Sequence, residues 1–127
     1  ARPPLLGFLG IPPGLEERMT PEEQIFVAGI VRTLLTVSRQ QAGLVNEAKN
    51  HDSRQRAALE QITAPTLIIS TADDPFATQP GAKYTAGQIR NVQSVWPEQG
   101  GHLLVGGLEA LWAAQAQFLH EPEIVYR

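Results

Sequence analysis

The amino-acid sequence predicts an α/β protein, because two strand patterns alternate with two helix patterns. Residues 66–70 and 92–96 are short runs rich in apolar and β-branched side chains, which is typical of buried strands. Helical patterns follow these runs, at about 80–89 and 108–119. This is the order of strand–helix–strand–helix units on a parallel sheet, so we expect such a sheet in the C-terminal half of the chain.

The residues before this half carry helix signals. Four prolines and three glycines among the first 14 residues prevent one long helix, because proline removes a backbone donor and restricts the residue before it. Thr20 and Glu23 have the spacing of a capping box, which predicts a helix over 21–35. Shorter helical pieces are expected at 44–50 and 54–59.

We therefore divide the chain into a helical segment, 1–61, and a C-terminal part, 62–127, that carries the sheet. Two strands make a small sheet, since typical sheets have about five or six and parallel ones are covered on both faces. The open edges would leave backbone groups unpaired. We expect another segment, or a second copy of the chain in a homo-oligomer such as a dimer, to complete the sheet.

Composition excludes several classes of protein. The 127 residues carry a formal net charge of −3 and show no basic stripe, which argues against a nucleic-acid partner. No apolar run approaches the roughly 20 residues that span a bilayer, so no membrane association is expected. The absence of cysteine excludes disulfides and thiolate metal sites, and it suits a cytoplasmic location.

An acidic turn and a histidine loop follow the two predicted strands. Asp73 and Asp74 lie in Ser-Thr-Ala-Asp-Asp-Pro, and His102 ends Pro-Glu-Gln-Gly-Gly-His. Glycines allow a tight loop that brings an imidazole over the strand ends, where a carboxylate can accept its Nδ1–H and fix the tautomer. We expect Asp74 and His102 to form this pair, with Asp73 as the alternative acid. Each motif alone is more often an ordinary turn or loop, and it is the order of the two, each after its own strand, that favours the pair.

This order of acid and histidine resembles the second half of the Ser…Asp…His triad in the α/β-hydrolase superfamily. In that family a small residue opens the acid turn and the acid follows three positions later, here Thr71 and Asp74. The family usually has glycine at the opening, so Thr71 departs from the pattern. Gly-Gly-His102, followed by apolar residues and a terminal amphipathic helix, is similar to the family's histidine loop.

The resemblance implies a partial α/β-hydrolase fold, in which 1–61 corresponds to helical cap segments and 62–127 to the half of the core that carries acid and histidine. It also implies a serine-type hydrolase that acts on a small-molecule ester, lactone or related carbonyl compound. Asp74 would orient His102, and His102 would be the general base. No cofactor and no metal are implied.

The Gly-x-Ser-x-Gly motif that carries the nucleophile in this family does not occur in the chain. None of the four serines, Ser38, Ser53, Ser70 and Ser94, is flanked in that way. We therefore expect the chain to be the C-terminal portion of a hydrolase, inactive until the missing N-terminal half completes it. The alternative is a non-catalytic interaction or assembly module derived from the same fold.

Other polar residues are weaker candidates. Arg39 either forms a surface salt bridge, joins a cap to the core or lies next to a substrate. The run His51-Asp52-Ser53 reads as a polar loop, because adjacent side chains point in different directions. His120 is placed to complement the negative end of the last helix. No cluster of histidine, aspartate and glutamate has the spacing of a metal site.

Overall fold

The computed structural model describes residues 4–34, 41–51 and 57–120. Its α-helices are α1 (Pro4–Phe8), α2 (Pro21–Leu34), α3 (Gln41–His51), α4 (Gln79–Gln88) and α5 (Leu108–His120). Its strands are β1 (Thr66–Ile69) and β2 (Val92–Val95), and short 3-10 helices lie at Leu15–Arg18 and Leu59–Gln61. None of these helices is long and apolar enough to cross a membrane.

The predicted fold class is wrong. Within the described ranges the chain is mostly helical, with five α-helices and one sheet of two four-residue strands, so it is not an α/β fold and not a partial α/β-hydrolase fold. The order β1–α4–β2–α5 in the C-terminal part agrees with the predicted elements. The class was wrong because two short strands form a single ladder, which does not make the layered sheet that defines α/β proteins.

Contacts divide the chain into two compact units, one formed by 1–19 with 59–127 and the other by 20–58. The expected boundary near residue 61 lies close to the later of these divisions. The first 19 residues group with the C-terminal part, whereas the sequence had placed them in the helical segment 1–61. As a statement about domains, the division into 1–61 and 62–127 stays a prediction.

The unit 20–58 begins with the predicted capping box. The Glu23 backbone N–H donates to Thr20 Oγ1 at 3.2 Å, and the Thr20 backbone N–H donates to Glu23 Oε2 at 3.0 Å. These bonds satisfy two donors that a helix N-terminus otherwise leaves unpaired, which confirms the predicted start of α2. Helix α3 covers the predicted piece 44–50, while residues 54–56 of the predicted piece 54–59 lie outside the described ranges.

The two strands pair in parallel, with Thr66 opposite Val92 and Ile69 opposite Val95. Pairing continues beyond the strands, because the Ala72 N–H donates to the Pro97 carbonyl at 3.0 Å. Helix α4 forms the crossover between the strands. The segments that follow β1 and β2 therefore leave the sheet side by side, and this places the acidic turn next to the histidine loop.

The N-terminal residues pack against the histidine loop. The His102 backbone N–H donates to the Gly10 carbonyl at 2.8 Å, and Ile11 and Val105 are almost fully buried. Among the described residues of this unit, the buried apolar side chains are Leu9, Ile11, Leu15, Ile89, Val105 and Leu108. A small core thus forms around the loop that carries His102, and burial of these side chains stabilises it through the hydrophobic effect.

Candidate active site

Asp74 lies in the turn after β1, with its side chain only 3% exposed. Its Oδ1 accepts a hydrogen bond from the Phe76 backbone N–H at 2.9 Å, which closes an Asx turn. Its Oδ2 accepts from the Thr78 hydroxyl and lies 3.0 Å from His102 Nδ1. Three donors therefore converge on one buried carboxylate.

These contacts control the ionisation of Asp74. Burial raises the pKa of its carboxyl, because a low-dielectric environment disfavours the charged form. The hydrogen bonds from His102, Thr78 and the Phe76 N–H lower the pKa and outweigh burial, so its net pKa lies below the ordinary value of 3.8. Asp74 is consequently ionised at neutral pH, and an ionised carboxylate accepts hydrogen bonds only. His102 Nδ1 must then be the donor.

His102 lies on the loop that follows β2. Gly101 before it has φ +60°, in the left-handed region that favours glycine, and a Cβ atom there would lie 2.5 Å from the Gly10 carbonyl oxygen. The Phe76 ring meets the imidazole edge to face, with the ring centroids 4.8 Å apart. The imidazole is 45% exposed. With Nδ1 bonded to Asp74, Nε2 is the ring nitrogen that can accept a proton from a substrate or nucleophile.

Asp73 has a different role from its neighbour. Its Oδ1 accepts from the Gly101 backbone N–H at 2.9 Å, and its Oδ2 accepts from the Gly100 N–H at 3.2 Å. The two adjacent carboxylates thus have different partners. Asp73 binds the backbone of the histidine loop, and Asp74 binds the imidazole. The geometry therefore favours Asp74 over Asp73 as the partner of His102.

Thr71 also holds this loop. Its hydroxyl donates to the Gly101 carbonyl at 2.9 Å, and the residue is 2% exposed. A Cβ atom on Gly100 would lie 2.9 Å from Thr71 Cγ2, so the glycine allows the close approach of the threonine. Sequence reasoning noted Thr71 only as a departure from the family pattern. The available signal for its role was that a residue with a hydroxyl occupies the position where the family usually has glycine.

Two further hydroxyls, those of Thr78 and Ser70, lie near the Asp74 carboxylate. Thr78 donates to Asp74 Oδ2, and its Oγ1 lies 3.3 Å from Ser70 Oγ. The sequence analysis did not single out Thr78. Both hydroxyls line a cavity of about 210 Å³ that also includes the acid and the histidine. The cavity is bounded by Ile69, Ser70, Thr71, Asp74, Thr78, Ala82, Gly101, His102 and Leu104.

The structure brings some other candidate residues to this site and not others. Ser70 is linked to Asp74 indirectly, because its Oγ lies 3.3 Å from the Thr78 hydroxyl that donates to the carboxylate. Ser94 is exposed on β2. His120, on α5, lies with Nδ1 2.7 Å from the Ala116 carbonyl of its own helix. Ser38, Arg39, Asp52, Ser53 and the side chain of His51 lie outside the described part of the chain.

No group of three or more potential metal ligands among histidine, cysteine, aspartate and glutamate occurs within the described ranges. The site described above offers hydrogen-bonding and proton-transfer chemistry through Asp74 and His102. A carboxylate that orients an imidazole is the arrangement used for general-base catalysis in several unrelated folds.

Comparisons with protein-family models, with curated proteins and with solved structures found no match to this chain.

Proposed function

We propose that Asp74 and His102 form the acid–base pair of a hydrolase that cleaves a small-molecule ester, lactone or related carbonyl compound. The observation that carries this proposal is the 3.0 Å contact between Asp74 Oδ2 and His102 Nδ1, made by a buried acid and a partly exposed imidazole. The resemblance of the acid turn and histidine loop to those of the α/β-hydrolase superfamily supports the same activity. This resemblance is limited to the two motifs, so the proposal does not depend on the overall fold.

In the proposed reaction, His102 Nε2 takes the proton of a hydroxyl as that oxygen attacks the carbonyl carbon. The imidazolium that forms is stabilised by the Asp74 carboxylate through the Nδ1–H bond. The imidazolium then returns the proton to the leaving alkoxide as the carbon–oxygen bond of the ester breaks. In a second cycle the same base takes a proton from water as the water oxygen attacks the acyl carbon. It returns that proton to the nucleophile's oxygen as the acyl–oxygen bond breaks and the carboxylic acid leaves.

The nucleophilic hydroxyl comes, in this proposal, from a segment outside these 127 residues or from a partner. The chain has no Gly-x-Ser-x-Gly sequence, and Ser70 contacts the acid side of the pair through Thr78. Loss of the nucleophile in a serine triad lowers kcat by about 10⁶, so this chain alone should hydrolyse esters only slowly. We assign the reaction to the cytoplasm, which suits a chain without cysteine.

A second candidate function is a non-catalytic assembly module whose partner is a second copy of the chain. The two-stranded sheet and the exposed apolar side chains of Trp112 and Leu119 on α5 favour it, because such surface is often covered by a partner. Light scattering of the purified chain, read together with the esterase activity of His102→Ala, separates the candidates. A dimer in which His102→Ala leaves esterase activity unchanged would favour assembly.

The experiment that tests the proposed function is hydrolysis of p-nitrophenyl acetate by the purified chain, compared with its His102→Ala variant. General-base catalysis contributes about 10²–10⁴-fold in enzymes, so we expect kcat/KM to fall by at least about tenfold. An activated ester is chosen because it reports a base even without the natural nucleophile.

His120→Ala is the matched control, because it removes a second exposed histidine whose Nδ1 contacts only its own helix among the contacts described above. Its rate should equal that of the unmodified chain. Equal rates for the unmodified chain and His102→Ala would contradict the proposed base, and equal losses in both variants would show unspecific catalysis by surface imidazoles.

A further inference from the structure

The Asp74 carboxylate is the acceptor in each of the hydrogen bonds described for it. Asp74 Oδ2 accepts from both His102 Nδ1 and the Thr78 hydroxyl. Because an ionised carboxylate has no proton to donate, the Thr78 proton must point toward it. Thr78 Oγ1 can then accept from Ser70 Oγ, which lies 3.3 Å away. Two hydroxyls therefore form a chain that ends on the oxygen bound by the imidazole.

Backbone hydrogen bonds hold both residues at the ends of their elements. Ser70 follows β1, and its N–H donates to the Val95 carbonyl at 3.3 Å. Thr78 precedes α4, and its carbonyl accepts from the Ala82 N–H at 3.0 Å. The hydroxyl chain thus joins the end of the strand to the start of the helix, and the carboxylate lies between this chain and the histidine loop.

We propose that Thr78, supported by Ser70, is a positioning residue that holds the Asp74 carboxylate in place and directs its Oδ2 at His102 Nδ1. This inference rests on the proposed function for its catalytic meaning. The hydroxyl does not touch the reacting atoms. It acts through the carboxylate, because a second donor on Oδ2 restricts rotation of the carboxyl group and stabilises its negative charge.

The electrostatic consequence can be measured. Burial raises the pKa of Asp74, and the bonds from His102, Thr78 and the Phe76 N–H oppose this effect. Removal of the Thr78 hydroxyl leaves burial less opposed, so the pKa of Asp74 should rise. The titratable groups to consider around the carboxyl are the imidazole of His102 and the adjacent Asp73, whose oxygens are bonded to the Gly100 and Gly101 N–H groups.

The test is titration of the Asp74 carboxyl by ¹³C NMR in the full chain and in Thr78→Val, Thr78→Ser and Ser70→Ala. Thr78→Val should raise the pKa of Asp74 and move the ring N–H resonance of His102. Thr78→Ser keeps the hydroxyl and should retain both values. Ser70→Ala should shift them in the same direction as Thr78→Val but by less, because Thr78 still donates to Asp74.

Thr85→Val is the matched control, since it removes a hydroxyl on α4 that bonds only to the Gly81 carbonyl among the bonds described. It should leave the Asp74 titration unchanged. Unchanged titration in Thr78→Val, or an equal shift in Thr78→Ser, would overturn the inference. If Thr78→Val does not fold, an unshifted Ser70→Ala overturns it instead.

The carboxyl titration does not require turnover, so it separates this inference from the proposed function. A shifted Asp74 in Thr78→Val, together with full esterase activity in His102→Ala, would leave Thr78 as the support of the carboxylate and remove the hydrolase proposal. An unshifted Asp74, together with loss of activity in His102→Ala, would do the reverse.

Discussion

Asp73 and Asp74 are adjacent in the chain, yet their carboxylates bind different parts of one loop. Asp74 binds the imidazole of His102, and Asp73 binds the backbone N–H groups of the two glycines before it. The acidic turn thus fixes both the position of the loop and the orientation of its functional side chain. This division of roles provides the basis for separate tests of loop position and imidazole orientation.

Asp73→Ala should loosen the histidine loop without removing the acid of the pair. Two N–H groups in a buried part of the loop lose their acceptor, and each unsatisfied buried group costs about 1–3 kcal/mol, so the free energy of unfolding should fall by about 2 kcal/mol or more. Asp73→Asn keeps one acceptor and should lose less. Urea unfolding measures both variants.

Glu98→Ala is the control for Asp73→Ala, because it removes an exposed carboxylate from the segment that follows β2. We expect a change within about 0.5 kcal/mol, as for most surface substitutions. Hydrogen exchange at Gly100 and Gly101 should accelerate in Asp73→Ala only. Equal stability and equal exchange in the two variants would refute the role assigned to Asp73.

Gly101→Ala should displace His102. A Cβ atom at this position would lie 2.5 Å from both the Gly10 carbonyl oxygen and Pro12 Cδ, and φ is +60°. A left-handed backbone costs an alanine about 1–2 kcal/mol, and overpacking adds about 1–3 kcal/mol. The free energy of unfolding should therefore fall by at least about 2 kcal/mol. The control Gly107→Ala has open space around its Cβ. A Gly101→Ala protein as stable as Gly107→Ala would contradict the packing described here.

The lowered pKa of Asp74 predicts how stability depends on pH. In acid the unfolded chain binds more protons at this group than the folded chain does, so the free energy of unfolding rises with pH. The stabilising contribution is present above the ordinary value of 3.8 and is lost as the pH falls below it, through the lowered folded pKa. Asp74→Asn should therefore reduce the slope in this range. Urea titrations at several pH values would show identical slopes in both proteins if the assignment were wrong.

Local signals in the sequence predicted the elements well. The capping box of Thr20 and Glu23 marked the start of α2, and the apolar runs marked β1 and β2. These patterns depend on residues close together in the chain. The fold class depends on how many strands join one sheet, and the strand patterns could not decide it, so the prediction of an α/β class was wrong.

The candidate site was predictable in part. Asp74 and His102 were identified because each follows a strand, and the parallel pairing places the two segments side by side. The loop contacts of Thr71 and Asp73 and the hydroxyl of Thr78 were not predicted. They depend on side-chain directions in a turn, where neighbouring residues face different partners and no periodicity reveals which.

If Asp74 acts through His102, a double-mutant cycle on ester hydrolysis will show that the two residues work as one unit. We would measure kcat/KM for p-nitrophenyl acetate in the unmodified chain, Asp74→Asn, His102→Ala and the double variant. Residues that act as one unit are strongly non-additive, so the double variant should be no slower than His102→Ala alone. Losses that add in full, or an Asp74→Asn protein as fast as the unmodified chain, would contradict the account.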